Sequence, residues 1–192
     1  MKKLLVLACA TATLSLAAGP ATADNINGRV GVTGKIGFTV PADSDVESNN
    51  NHTDPGFIGG GGLIYGIDNH LAAEIAITHS AFDSDLGYFG VTDFAFGGQY
   101  RFPLNQPRLV PYLGAGLDIL VTDTGHGRSV DTTVGAHAIA GADYFLTKKL
   151  ALTGEAKLLV APDADITGPN GENGNFDPTS FSTTFGVRYF FN

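Results

Sequence analysis

The sequence predicts an all-β protein, an eight-stranded antiparallel up-and-down transmembrane β-barrel, on three observations. Apolar and polar residues alternate over eight segments, the connections between them alternate in length, and no charged residue falls on an apolar face. Composition removes the competitors. With 43% hydrophobic residues the chain is too apolar for disorder, and its 26 glycines follow no Gly-X-Y period. A net charge of −8 argues against nucleic acid, which requires a basic surface, and the single cysteine, Cys9, rules out a disulfide scaffold.

The first element is an export signal. Met1-Lys2-Lys3 precedes an apolar stretch from Leu4 to Ala18 and a small-residue ending, Gly19-Pro20-Ala21-Thr22-Ala23. This is the layout of a secretory signal cut after Ala23, so residues 1–23 are expected to be a cleaved signal peptide and residues 24–192 the barrel domain. A membrane anchor would need about 20 apolar residues, and Thr11, Thr13 and Ser15 interrupt this stretch. A lipoprotein signal ending at Cys9 would keep only Leu4 to Ala8 as its apolar core.

The strands follow in order. Val30, Val32, Gly34, Ile36, Phe38 and Val40 alternate with Arg29, Gly31, Thr33, Lys35, Gly37 and Thr39, a period of two that no amphipathic helix shows. The second segment, 57–67, is rich in glycine and its faces are ambiguous. Leu71 to Thr78 then carries Glu74 on its polar face, and Asp93 to Phe102 carries Asp93 and Arg101. The segment Tyr112 to Ile119 carries Asp118, and Val134 to Tyr144 carries His137 and Asp143. The last two, Leu150 to Val160 and Ser180 to Phe191, carry Glu155 with Lys157 and Arg188 respectively. Connections 41–56 and 161–178 are long, 80–87 and 122–131 intermediate, and 68–70, 103–108 and 147–149 short.

A soluble eight-stranded barrel would show the same alternation with its apolar side inward, so the direction of the faces needs other evidence. The polar faces carry five bases and five acids: Arg29, Lys35, Arg101, Lys157 and Arg188 against Glu74, Asp93, Asp118, Asp143 and Glu155. Near-neutrality is a requirement for charges packed in a narrow lumen. Tyr65, Tyr100, Phe102, Tyr144, Tyr189 and Phe191 gather at the short-turn end, where a membrane barrel wears an aromatic girdle and a sandwich core would not. These ten charges are therefore expected to form a lumen charge network that cross-links the wall as an ionic plug. The glycines expected beside them, Gly31, Gly37, Gly97, Gly114, Gly116, Gly135, Gly141 and Gly186, are read as relieving crowding rather than as opening a path.

Three stretches carry a resemblance. The end of the chain alternates Phe185, Val187, Tyr189 and Phe191 and resembles the C-terminal signal read by the barrel-assembly machinery, with Asn192 after the usual final Phe. Pro111-Tyr112-Leu113-Gly114-Ala115-Gly116-Leu117-Asp118 resembles a strand of the small outer-membrane barrels of the OmpW and OmpX/OmpA-like kind. Gly141 to Leu146, followed by Lys148 to Leu152 and Glu155-Ala156-Lys157, resembles the matching hairpin of OmpW relatives. The resemblance implies the cell outer membrane of a Gram-negative bacterium, with lipid and lipopolysaccharide as surroundings. It also implies passage of small hydrophobic compounds through an apolar lumen, whereas the lumen expected here is ionic.

No catalytic constellation appears. His79 and Ser80 point to opposite faces, His126 and Ser129 share a loop without an oxyanion site, and His52 and His70 lie in loops or turns. No zinc-ligand spacing occurs, and no cofactor is expected. The long-loop end gathers Asp43, Asp45, Glu47, Asp54, Asp83, Asp85, Asp123, Asp131, Asp163, Asp165, Glu172 and Asp177 against Arg128 alone. Such loops could bind divalent cations of the lipopolysaccharide layer, but the twelfth position counted from Asp163, where a calcium loop needs its acid, is Gly174. The function expected is non-enzymatic, envelope-structural or surface-interacting through the acidic loops. The alternatives are a narrow channel for small solutes and a lipid-modifying enzyme.

Overall fold

Eight strands realise the alternation in the computed structural model: β1 (Val30–Pro41), β2 (Gly56–Gly66), β3 (Leu71–Ser84), β4 (Gly87–Arg101), β5 (Leu109–Thr124), β6 (Thr133–Phe145), β7 (Leu150–Val160) and β8 (Ser180–Phe190). Each pairs antiparallel with its sequence neighbours, and β1 pairs with β8, so the sheet closes. The structure describes residues 26–41, 44–46, 49–51, 55–84, 87–104, 108–124, 129–130, 132–162, 164–167, 173–176 and 178–191. The expected signal peptide and the twelve acidic loop residues lie outside those whose side chains are described.

Closure removes every edge, which a bilayer demands because it offers no hydrogen bonds to free backbone groups. Following the registers round the barrel from Gly31 returns to β1 about ten residues away, which for eight strands gives a radius of roughly 8 Å. Such an interior is filled by side chains.

Two differences from the sequence expectation concern strand ends. The connection expected at 80–87 is mostly strand, since β3 runs to Ser84 and β4 begins at Gly87. The long connections also carry strands of their own. Ser44–Val46 pairs with Asn49–Asn51, and Ala164–Thr167 pairs with Asn173–Phe176 and with Ser129–Val130. Polar loop residues hide these pairings from a reading based on apolar alternation. The ambiguous β2 takes its facing from its neighbours: Phe57, Leu63 and Tyr65 point out, while Ile58 and Ile64 are buried.

The apolar faces point outward on all strands. Ile36, Phe38, Leu117 and Phe185 are each 60% exposed or more, and among the described strand residues no charged side chain joins them. The polar pair His79 and Thr92 on this surface satisfies itself, Nδ1 to Oγ1, at 3.0 Å. At the short-turn end Tyr65, Tyr100, Phe102, Tyr144, Tyr189 and Phe191 are all exposed, and edge-on contacts link Tyr100 to Phe102 at 4.9 Å and Tyr189 to Phe191 at 5.5 Å. Replacing Leu117 with Arg at this lipid face should lower unfolding free energy in lipid vesicles by about 2–4 kcal/mol. Urea titration checks this, and a water-facing surface would tolerate the change.

Two of the short turns share one device. The N–H groups of Ile67 and Asp68 donate to the Leu71 carbonyl, and Asp68 Oδ1 accepts from the N–H groups of His70 and Leu71 at 2.6 and 2.7 Å. In the turn after β6, Thr147 Oγ1 does the same for Lys149 and Leu150 at 3.2 and 3.0 Å. Local side-chain acceptors thus replace ladder bonds where the chain reverses. The two backbone donors hold the Asp68 carboxyl below the usual aspartate range. A lowered folded pKa means that the stabilisation is complete above the unfolded value and is lost as pH falls through the folded one. Acid titration by NMR should therefore show the His70 and Leu71 amides shifting below the pH at which a free aspartate titrates. The step should vanish in Asp68→Ala.

Candidate functional site

The inward faces of seven strands build a belt of charge across the lumen. Its turn-side half centres on Arg188 of β8, which donates from Nε to Thr33 Oγ1 at 2.9 Å, from Nη1 to Asp143 at 2.9 Å and from Nη2 to Glu74 at 3.0 Å. Arg101 of β4 donates to the same Asp143 oxygen at 2.5 Å and to Gln99 at 3.1 Å, while Gln99 donates to Glu74. Lys35 of β1 bonds Glu155 at 2.9 Å and lies 3.9 Å from Glu74. Three cations meet three carboxylates, so this half is neutral.

Tyr112 of β5 joins the same half. Its hydroxyl donates to Glu155 at 3.0 Å, and its ring lies under the guanidiniums of Arg101 and Arg188 at 5.5 and 5.8 Å. Arg101, Arg188, Tyr112 and Asp143 are at most 1% exposed. Ring faces attract cations most strongly where water is excluded.

The loop-side half is smaller. Lys157 of β7 bonds Asp93 at 2.6 Å and also Asp118, and His137 Nδ1 lies 2.6 Å from the other Asp118 oxygen. Asp93 Oδ1 has no hydrogen-bond partner.

Arg29, which the sequence places with these charges, sits apart. The register puts it beyond the turn-side half, at the barrel mouth, where Nη2 donates to the Lys148 carbonyl at 3.0 Å and the guanidinium lies 5.1 Å over the Phe190 ring. Nε and Nη1 have no partner, and no carboxylate among the described residues pairs with it. Period-two alternation gives the face of a residue but not its height along the barrel axis, so Arg29 counts toward the lumen in sequence and not in space.

Apolar layers bracket the belt. One inward step toward the turns, Asp143, Glu74, Tyr112 and Arg188 give way to Phe145, Ala72, Val110 and Phe190, which cluster with Ile64, Ala151 and Ile26 as a floor. One inward step toward the loops, Asp93, Asp118 and Lys157 give way to Val91, Leu120 and Leu159, which cluster with Ala161. Between them, a cavity of about 30 Å³ touches Lys35, Glu74, Gln99, His137, Glu155 and Lys157. That is room for two or three waters at roughly 10–15 Å³ each.

The glycines have a packing role that sequence could only suggest. Across the β5–β6 pair a large inward residue faces a glycine at each step: Tyr112 faces Gly141, Ile139 faces Gly114 and His137 faces Gly116. A Cβ on Gly141 would meet the Tyr112 ring at 2.5 Å, and one on Gly116 would meet the His137 ring at 2.6 Å. The glycines are slots for their cross-strand partners. Sequence reasoning missed Tyr112, Gln99 and His137 as members of the network, although all three stand on polar faces; uncharged residues give no signal until the register shows their neighbours.

Phe185, Val187, Tyr189 and Phe191 all face outward along the last strand. Arg188→Ala should destabilise the barrel by about 3–5 kcal/mol, because it removes one buried charge partner from both Asp143 and Glu74. Gly141→Ala should cost about 1–3 kcal/mol by overpacking against Tyr112. Reversible urea unfolding followed by heat-dependent gel mobility measures both.

Comparison with known proteins places this architecture. The family described as outer membrane protein beta-barrel domain matches residues 9–189. No curated protein sequence matches the chain. The fold is similar to that of the outer membrane protein OprG from Pseudomonas aeruginosa, with a TM-score of 0.74 at 14% identity over 89% of this chain and 99% of that one. Neisserial surface protein A gives 0.65 at 20% identity over 84% and 97%. The outer membrane protein AlkL in lipid bilayers gives 0.58 at 16% identity over 91% and 96%. At such identities the likeness is one of fold.

Proposed function

The chain belongs to the outer membrane protein beta-barrel domain family, and from that premise we propose that it is a closed, non-enzymatic barrel that stabilises the outer envelope and meets its surroundings through its loops. The observation that carries this reading is the filled cross-section: Arg101, Arg188, Tyr112 and Asp143 at 1% exposure or less, standing on a floor of Phe145 and Phe190 at 0%. A lumen of paired charge resists both ions and apolar solutes. Ions would have to break buried pairs, and hydrocarbons would have to desolvate them.

In this reading residues 1–23 direct export and are cut after Ala23, and the outward face of β8 at Phe185, Val187, Tyr189 and Phe191 is what the barrel-assembly machinery engages. The acidic loops contact lipopolysaccharide, directly or through divalent cations. The test is ion conductance of the folded barrel in a planar bilayer. A silent bilayer, silent also with Glu155→Gln, is the expected result. Discrete steps that shift when Arg101 or Glu155 is neutralised would make the lumen a pathway and end the proposal.

A further inference from the structure

Six members of the turn-side floor stand on wall strands, and the seventh does not. Ile26 precedes β1, yet it is only 4% exposed and clusters with Phe145 and Phe190. At this height β1 itself offers no side chain, because Gly31 lies across from Ile64 and Phe190, and a Cβ there would stand 3.0 Å from each of them. A residue from outside the wall thus completes the floor.

Two glycines put it there. The Arg29 N–H donates to the Ile26 carbonyl at 2.9 Å, closing a four-residue turn whose third residue, Gly28, has φ +71°. Glycine takes that conformation without strain, and other residues rarely do. The Gly28 N–H donates to the Gly66 carbonyl at 2.7 Å, which ties the turn to the end of β2. Gly66 is also a slot, since a Cβ on it would run into the Ile26 carbonyl oxygen and stand 3.0 Å from Ile26 Cγ1. Two backbone bonds, one slot and one apolar side chain hold this segment, whereas every wall strand is paired along both sides.

Arg29 sits at the same mouth and acts in the opposite direction. Its guanidinium lies over the ring of Phe190, a floor residue, and donates to the Lys148 carbonyl, while Nε and Nη1 are buried without a partner. Buried donors without acceptors are costly, and water admitted at the mouth would relieve them. We propose that the turn Ile26 to Arg29 is a latch on the short-turn mouth. Closed, it seals the floor with Ile26; open, it swings out on Gly28 and lets water reach the floor and the Arg29 guanidinium while the eight-stranded wall stays folded. Weakly held segments open locally in this way at far lower cost than global unfolding. The charged belt lies one inward step above the floor, so the latch governs water at the mouth and does not depend on whether the barrel conducts.

The experiment uses the folded full-length barrel in detergent. Ala72, 2% exposed and paired with Gly66, reports on the floor when Ala72→Cys is made in a Cys9→Ser background. A sulfonated, membrane-impermeant maleimide is the probe, and heat-dependent gel mobility verifies the fold of each variant. Gly28→Val strains the turn without a clash, since a Cβ there meets nothing within 4 Å, and Gly66→Ala fills the slot. Each should speed labelling about tenfold or more, because the rate follows the population of the open form. Arg29→Met keeps the apolar stem and deletes the unpartnered donors, so it should slow labelling. Gly135→Ala, crowded by Leu159 and Ala161 at the loop side, controls for general loosening and should leave the rate unchanged. In the natural sequence the Gly28 and Arg29 amides should exchange with deuterium faster than the ladder amides of β1. Labelling no faster in either glycine variant, labelling quickened equally by Gly135→Ala, faster labelling in Arg29→Met, or Gly28 and Arg29 amides as slow as the β1 ladder would overturn the proposal. Discrete conductance steps together with the expected labelling would end the closed-lumen reading and leave the latch standing.

Discussion

Three strands converge on the guanidinium of Arg188: Thr33 on β1, Glu74 on β3 and Asp143 on β6 each accept one of its hydrogen bonds. Of these three strands only β1 is a neighbour of β8 in the sheet, so the other two bonds reach through the lumen to strands two and three places away in the ring. Much of the interior depends on that tie. Asp143 is shared with Arg101, Glu74 with Gln99, and the ring of Tyr112 supports both guanidiniums. Buried ion pairs add little net stability over an apolar filling, but the loss of one partner is expensive, which makes such a network a device for holding one arrangement of eight strands.

The network demands room and dryness, and the wall supplies both. Glycines opposite Tyr112, Ile139 and His137 recess the backbone so that large side chains fit a narrow lumen. Apolar layers one inward step above and below keep bulk water from the charges, which strengthens each pair and raises the cost of any charge left single. The outward face answers to a different solvent. With lipid outside, no charged side chain can stand there, so the whole complement of strand charge is driven to one face.

The alternation was legible because a strand's period is two and a bilayer excludes charge from the outward face. It supplied seven strands with their facing, the short-turn end and its aromatic girdle, and the inward direction of Lys35, Glu74, Asp93, Arg101, Asp118, Asp143, Glu155, Lys157 and Arg188. It was silent where side chains are too small or too polar to alternate. The run Gly59 to Gly62 left β2 without a visible face, and polar residues concealed the loop-side ends of β3 and β4 and the short strands beyond them.

Sequence by itself determined the class of this protein, its number of strands and, on every strand but β2, which residues face lipid, since those depend only on local period and on the solvent outside. Tertiary structure alone decided which charges meet. Height along the barrel axis comes from the registers, and the registers set Arg188 between three acceptors, fit His137 against Gly116 and carry Arg29 to the far mouth. A balance of five bases and five acids in the chain therefore became a half of three bases and three acids, a half in which two aspartates share one lysine and a histidine, and a single cation at the mouth. Coulomb interactions depend on distance in space, and alternation in a sequence carries none.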